Sequence, residues 1–218
     1  KMTFSPEEVI QLLSPLYGRP VPQISNDPLA ELILTVLSQN TADTNSGRAF
    51  VQMMRRYPSW DAIRDAQGEE LIATIQNGGL AQQKAPRIQA ILREVSAHSP
   101  DWDVGFLDEW PLEEARTWLR ALPGVGPKTA ACVLLFSLGR PALPVDTHVE
   151  RVSKRLGLIP EKTSADQAHD LLEQIVPEAD FYPFHMLLIK HGRRICTARK
   201  PACGRCPLVE CPSRVVST

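Results

Sequence analysis

Aromatic residues are scarce in this chain, 6% of 218 residues. Long hydrophobic runs are missing too. The longest unbroken apolar stretch is Ala130 to Phe136, well short of the ~20 residues a membrane-spanning helix needs. Neither sign of charge dominates: the formal net charge is −1, which excludes a uniformly basic protein that coats nucleic acid. Strict apolar–polar alternation is absent, and the connections are too short and the β-branched runs too few for a sheet. No internal repeat or low-complexity segment stands out. The fold class expected is therefore all-α, with ten or so short helices in one large domain or two small ones. The opening residues, Lys1 to Glu8, place acids where a signal peptide carries its apolar stretch. A cytoplasmic chain with reduced thiols is the expectation, and Lys1 before Met2 reads as an addition ahead of the natural start.

What is present is the composition of a globular protein, 43% hydrophobic and 22% charged. A chain of this length buries roughly 70% of its unfolded surface and needs no covalent staples. Nineteen prolines imply many short elements with sharp starts. Charge is unevenly spread. Residues 185–218 hold seven basic side chains and the single acid Glu210, whereas the rest of the chain has 17 basic and 24 acidic groups. A basic end on an acidic body suits a polyanion binder with a localised contact surface, though a solvated tail would read the same way.

Helix boundaries are marked by side chains. Ser5-Pro6-Glu7-Glu8 is a capping box with proline at the first helical position. Asp27-Pro28 opens a helix whose Leu29 to Leu37 stretch is apolar on nearly all sides, as a central buried helix would be. Ile88, Ile91, Leu92 and Val95 form one apolar stripe, and Leu112, Ala115, Leu119 and Leu122 another. Gly78-Gly79 falls where a helix from about Glu69 needs its C-cap. A further helix spans about Ser164 to Val176, before Pro177.

Five cysteines are present. Cys132 lies in the apolar stretch and reads as a small buried hydrophobe. Cys196, Cys203, Cys206 and Cys211 follow the pattern C-x6-C-x2-C-x4-C. Four clustered thiolates close a tetrahedral zinc site or a four-iron cluster, and spacing alone does not choose between them. Disulfides are the alternative, at odds with a reducing compartment. Arg199 and Lys200 lie inside the long loop and Arg205 inside the tight pair, so a metal centre here would hold cations toward a phosphate backbone.

The most informative stretch is Leu122-Pro-Gly124-Val125-Gly126-Pro-Lys128-Thr129-Ala130. Two glycines one residue apart permit a tight turn and close backbone approach to a ligand. Pro127 fits the first position of the next helix, whose free N–H groups form an anion site. This fits the helix-hairpin-helix pattern, which grips DNA backbone without reading sequence, while a bare Leu-Pro-Gly-x-Gly also serves as a simple structural turn. Lys128 stands in the first turn of that helix, where the electropositive N-terminus disfavours an ammonium. That suits an amine nucleophile, while from this segment alone a phosphate-contacting lysine is the simpler reading. Val145-Asp146-Thr147-His148 follows, with Asp146 as N-cap of a helix to about Leu156. A helix of about ten residues and a short return would bring Asp146 near Lys128. An amine beside a fixed carboxylate suits chemistry through a cationic sugar.

Taken in order, the Leu122–Ala130 segment, Val145–His148, His191-Gly-Arg and the four-cysteine loop resemble the endonuclease III family of base-excision DNA glycosylases over essentially the whole chain. The resemblance implies two helical domains: a six-helix barrel over residues 27–139 ending in the hairpin, and a [4Fe–4S] domain from residues 1–26 and 140–218. It implies a monomer of bacterial type working on nucleoid DNA, with double-stranded DNA in a cleft between the domains and a damaged base flipped out. Lys128 would attack C1′, release the base as a Schiff base forms, and cut the strand 3′ to the lesion by β-elimination. Asp146 would stabilise the cationic sugar. The cofactor would be held by Cys196, Cys203, Cys206 and Cys211. DNA contacts would come from Gly124, Val125, Gly126, Thr129, His148, Arg199 and Lys200. They would also come from the gap-filling segment with Gln39 and Asn40 and from the wedge at Leu80.

The chain departs from the family pattern in three places. The last cysteine gap is one residue short. Ser38-Gln39-Asn40-Thr41-Ala42-Asp43 stands where Ser-Ala-Gln-Ala-Thr-Asp is usual, so an ungapped alignment puts Asn40, not Gln39, at the gap-filling position. Pro127 occupies a place where a basic residue is common. The expected substrates are oxidised pyrimidines. The alternatives are a relative specialised for mismatched or other damaged bases, a non-catalytic DNA-binding module, and a zinc protein with the same helices.

Overall fold

A computed structural model describes residues 3–215; Lys1 and Met2, read above as bearing the added residue, lie outside them. Among the described residues there is no strand, and twelve α-helices follow one another. They are α1 (Pro6–Tyr17), α2 (Pro28–Ser38), α3 (Asp43–Arg56), α4 (Trp60–Arg64), α5 (Gly68–Ile75) and α6 (Ala81–His98). After these come α7 (Phe106–Glu109), α8 (Leu112–Ala121), α9 (Pro127–Cys132), α10 (Thr147–Arg155), α11 (Ala165–Ile175) and α12 (Phe181–Arg194). No helix among the described residues is long and apolar enough to cross a membrane.

Local capping chemistry sets most of these boundaries. The Glu8 amide donates to Ser5 Oγ at 3.2 Å and the Ser5 amide to Glu8 Oε2 at 2.7 Å, a closed capping box. Ser164 and Gln167 make the same exchange at the start of α11. Asp27 caps α2 through the Ala30 amide at 3.0 Å. One boundary differs from the sequence reading: α5 stops at Ile75. Residues Gln76–Gly78 tighten into a 3-10 turn, and it is this turn that Gly79 closes, at φ +71°. The reason is packing. A Cβ on Gly78 would lie 2.9 Å from Ala49 Cβ of α3, so the chain passes too close to α3 for anything but glycine.

The chain folds as two compact units. In residues 24–140, α2 runs through the middle with Leu32, Ile33, Val36 and Leu37 buried, packed on α3 and α9. α6 lays Ile88, Ile91, Leu92 and Val95 into the same core, the stripe read from sequence. Each such buried side chain stabilises the unit by about 1.5–3 kcal/mol. After α9 the helix widens into a π-turn over Val133–Ser137. The other unit joins the N-terminal segment to residues from 141 onward. Within it α12 packs on both α1 and α10, burying Ile10, Leu13, Val149, Val152, Phe184 and Leu188.

Candidate DNA-repair site and cysteine centre

In the 24–140 unit, α8 ends at Ala121 and α9 begins at Pro127. Gly124 between them has φ +71°, a conformation that favours glycine, and a Cβ there would strike the Arg87 side chain at 2.4 Å. Gly126 is the N-cap of α9 and no side chain caps that end, which leaves the first-turn amides open toward an anion. Lys128 occupies the second position of this helix. The neighbours of the hairpin point inward. The Val125 side chain is buried and its amide donates to Leu122 O at 3.2 Å. The buried Thr129 takes part in a 3.3 Å hydrogen bond from Gln39 Nε2.

Gln39 and Asn40 are separated in role by the fold. Gln39 also donates to Gly124 O at 3.2 Å and accepts from Arg87 at 2.9 Å, so it braces the hairpin. Asn40 is exposed and left-handed, at φ +52°. Leu80 is likewise left-handed, at φ +53°, and 47% exposed. A branched apolar residue in that conformation stores strain of order 1–3 kcal/mol, which is characteristic of functional positions.

Sequence reasoning missed Glu31, on α2. Burial pushes its carboxyl up, and the Lys128 ammonium pulls it partly back, so the two charges sense one another. Lys84 and Arg87 were missed as well. The available signal was register: Lys84 stands four residues before Ile88 in an apolar stripe, and a lysine in a buried stripe needs oxygen partners.

In the other unit, Asp146 caps α10 by accepting the Val149 N–H at 2.8 Å. His148 is half-buried, with Nδ1 3.1 Å from Arg151 Nη2, and the same guanidinium donates to Gly192 O at 2.9 Å and Cys196 O at 3.2 Å. Arg155 donates to Thr197 O at 2.8 Å, Ala198 O at 2.9 Å and Cys196 Sγ at 3.3 Å. α10 therefore ties down the start of the cysteine loop. Arg199 and Lys200 stand exposed on that loop.

Cys196, Cys203, Cys206 and Cys211 line one small cavity together with His191 and Leu208. All four are free thiols, so the disulfide alternative finds no support. Four cysteine sulfurs around one cavity are the donor set that a four-iron cluster takes. Burial pushes the Cys206 and Cys211 thiols up, so a cationic centre is needed to hold them as thiolates. His191 is buried, and burial lowers its pKa to about 4, so the ring is neutral near pH 7. Its Nδ1 lies 3.0 Å from the Tyr17 hydroxyl and its Nε2 3.4 Å from Cys206 Sγ. One imidazole thus links the Tyr17 hydroxyl to the Cys206 sulfur.

An all-α chain with a glycine hairpin opening a helix, followed by a four-thiol centre, defines a helix-hairpin-helix protein with an iron–sulfur site. The chain belongs to the HhH-GPD superfamily of base excision DNA repair proteins, whose family model matches residues 33–178, and within it to the endonuclease III family. A second family model, the iron–sulfur binding domain of endonuclease III, matches residues 196–212, and the cofactor is a [4Fe–4S] cluster. The chain is 37% identical to an endonuclease III of Thermotoga maritima over 83% of its own length and 80% of the relative's. It spans only 56% of a longer Arabidopsis thaliana protein named as a candidate DNA glycosylase, 36% identical over 76% of this chain. Among solved structures, a trapped endonuclease III–DNA covalent intermediate superposes with a TM-score of 0.81 at 29% identity, covering 97% of each chain. The protein is a DNA glycosylase, and DNA is its partner.

Proposed function

We propose that the chain is a bifunctional glycosylase and AP lyase that removes oxidised pyrimidines from double-stranded DNA, working as a monomer on nucleoid DNA. The observation that carries this reading is the placement of Lys128 on the first turn of the helix that the hairpin opens. A backbone phosphate held by the hairpin amides sets the neighbouring sugar within reach of that amine. Neutral Lys128 Nζ attacks C1′ of the flipped nucleotide and the base departs with the glycosidic electron pair. Ring opening gives the imine, loss of a C2′ proton expels the 3′ phosphate, and water later releases the enzyme. Asp146, whose Oδ1 accepts the Val149 N–H, stabilises the positive charge that develops on the sugar. Similarity to an endonuclease III trapped covalently on DNA supports the same chemistry.

We further propose Cys196, Cys203, Cys206 and Cys211 as the cluster ligands. When bound, the cluster supplies folding energy that orders the 196–211 loop. Arg199 and Lys200 then present two cations to the backbone. Replacing both with alanine is expected to reduce the slope of log K against log salt by about 2, since each phosphate left without its cation lowers that slope by about 0.9. Titration of a fluorescent duplex between 50 and 200 mM salt, concentrations at which this effect is large, measures it. An unchanged slope puts both cations off the DNA.

The substrate is tested with a single-turnover panel of duplexes. Thymine glycol, dihydrothymine and 5-hydroxycytosine are expected to be released at least about 10-fold faster than thymine from a T·G mismatch, a discrimination that pocket contacts can supply. Release from the mismatch alone would overturn the assignment.

A further inference from the structure

Lys84 is among the largest fully buried side chains of the chain, 2% exposed. Its ammonium donates to Leu37 O at 2.5 Å, Thr41 Oγ1 at 2.8 Å and Gly78 O at 3.2 Å. Leu37 and Thr41 flank Gln39 and Asn40, and Gly78 precedes Gly79 and Leu80. One buried cation therefore clasps the two segments that carry the left-handed Asn40 and Leu80. The Thr41 hydroxyl adds to the junction, since it lies 3.2 Å from where a Cβ on Gly79 would be. One turn further along α6, Arg87 donates to Gln39 Oε1 and packs beneath Gly124, while Gln39 in turn donates to Gly124 O. Burial, with Arg87 close by, pulls the Lys84 ammonium below its ordinary range. A charge kept in such a place demands all of its oxygen partners.

We propose that Lys84 and Arg87 form a two-cation brace on α6 that holds the Asn40 loop, the Leu80 turn and the hairpin in one preset arrangement, and that both are positioning residues for base extrusion. The proposal rests on the glycosylase reading above. Neither residue touches the reacting atoms. Their effect is to keep two left-handed backbone positions formed before DNA arrives, so that displacing a base does not also require building the wedge.

The discriminating experiment compares Lys84→Met with the parent chain on two duplexes: thymine glycol opposite adenine, and thymine glycol opposite a one-nucleotide gap, where there is no partner to displace. Base release from the paired lesion is expected to fall about 100-fold, as a displacement of about 1 Å can cause, and release opposite the gap less than about 3-fold. Equal losses on both duplexes, or no loss on either, would overturn the brace. Should Lys84→Met fail to fold, Arg87→Met cuts only the Gln39 arm, and the same contrast at about 10-fold is expected, with recovery in Arg87→Lys. Amide hydrogen exchange on the free protein separates the two readings. If the parent chain releases no lesion, the glycosylase reading falls. Faster exchange confined to residues 38–41 and 78–80 in the folded variant would still support the brace, and unchanged exchange would overturn it.

Discussion

Lys128→Gln is expected to abolish borohydride trapping on a duplex with one abasic site while leaving DNA binding in place. Glutamine has nearly the reach of lysine but no nucleophilic amine, so no imine forms and nothing is left to reduce. The loss should be on the order of 10³-fold or more, since removing a nucleophile removes the step itself. The fold should not suffer. Lys128 sits at the second position of α9, where the helix field opposes a cation, so a neutral side chain there costs no stability. Glu31 will register the change, because it loses the charge that offsets its burial and its carboxyl rises further. Melting temperature and a filter-binding isotherm complete the measurement. An adduct that persists in the mutant would show that another amine is the nucleophile.

Asp146→Asn is expected to slow base removal about 10²–10⁴-fold, the range in which a positioned acid–base or charge-stabilising group contributes. Asparagine separates chemistry from capping here. Asp146 Oδ1 accepts the Val149 N–H, and asparagine caps a helix about as well as aspartate, so α10 keeps its start. What is lost is the negative charge that favours a cationic sugar. Arg151, a cation that senses Asp146, is then left without that counter-charge, and affinity for the phosphate backbone should hold or rise slightly. The check is a single-turnover rate on a thymine glycol duplex beside a binding isotherm. A rate equal to the parent's would reduce Asp146 to its capping bond.

The parts of this protein legible in its sequence are those whose causes lie within about four residues. The capping box at Ser5, the aspartate caps at Asp27 and Asp146, and the α6 stripe all appear where local spacing puts them. Each is settled by hydrogen bonds or faces that a short segment makes with itself. The hairpin and the four cysteines were legible as compact strings for the same reason, although their spacing alone left zinc and an iron–sulfur cluster both open.

What only the tertiary structure decided are the partners brought from afar. Gln39 and Asn40 are neighbours in sequence, yet one is consumed bracing a hairpin 85 residues away and the other is left exposed. The register of α6 puts Lys84 in an apolar stripe, but its partners come only from the fold, among them the carbonyl of Leu37, 47 residues earlier. Tyr17 reaches His191 across 174 residues, and through it Cys206. No local spacing encodes such pairs. They exist because a buried polar group must find a partner wherever the packed helices bring one, and that choice is made by the fold as a whole.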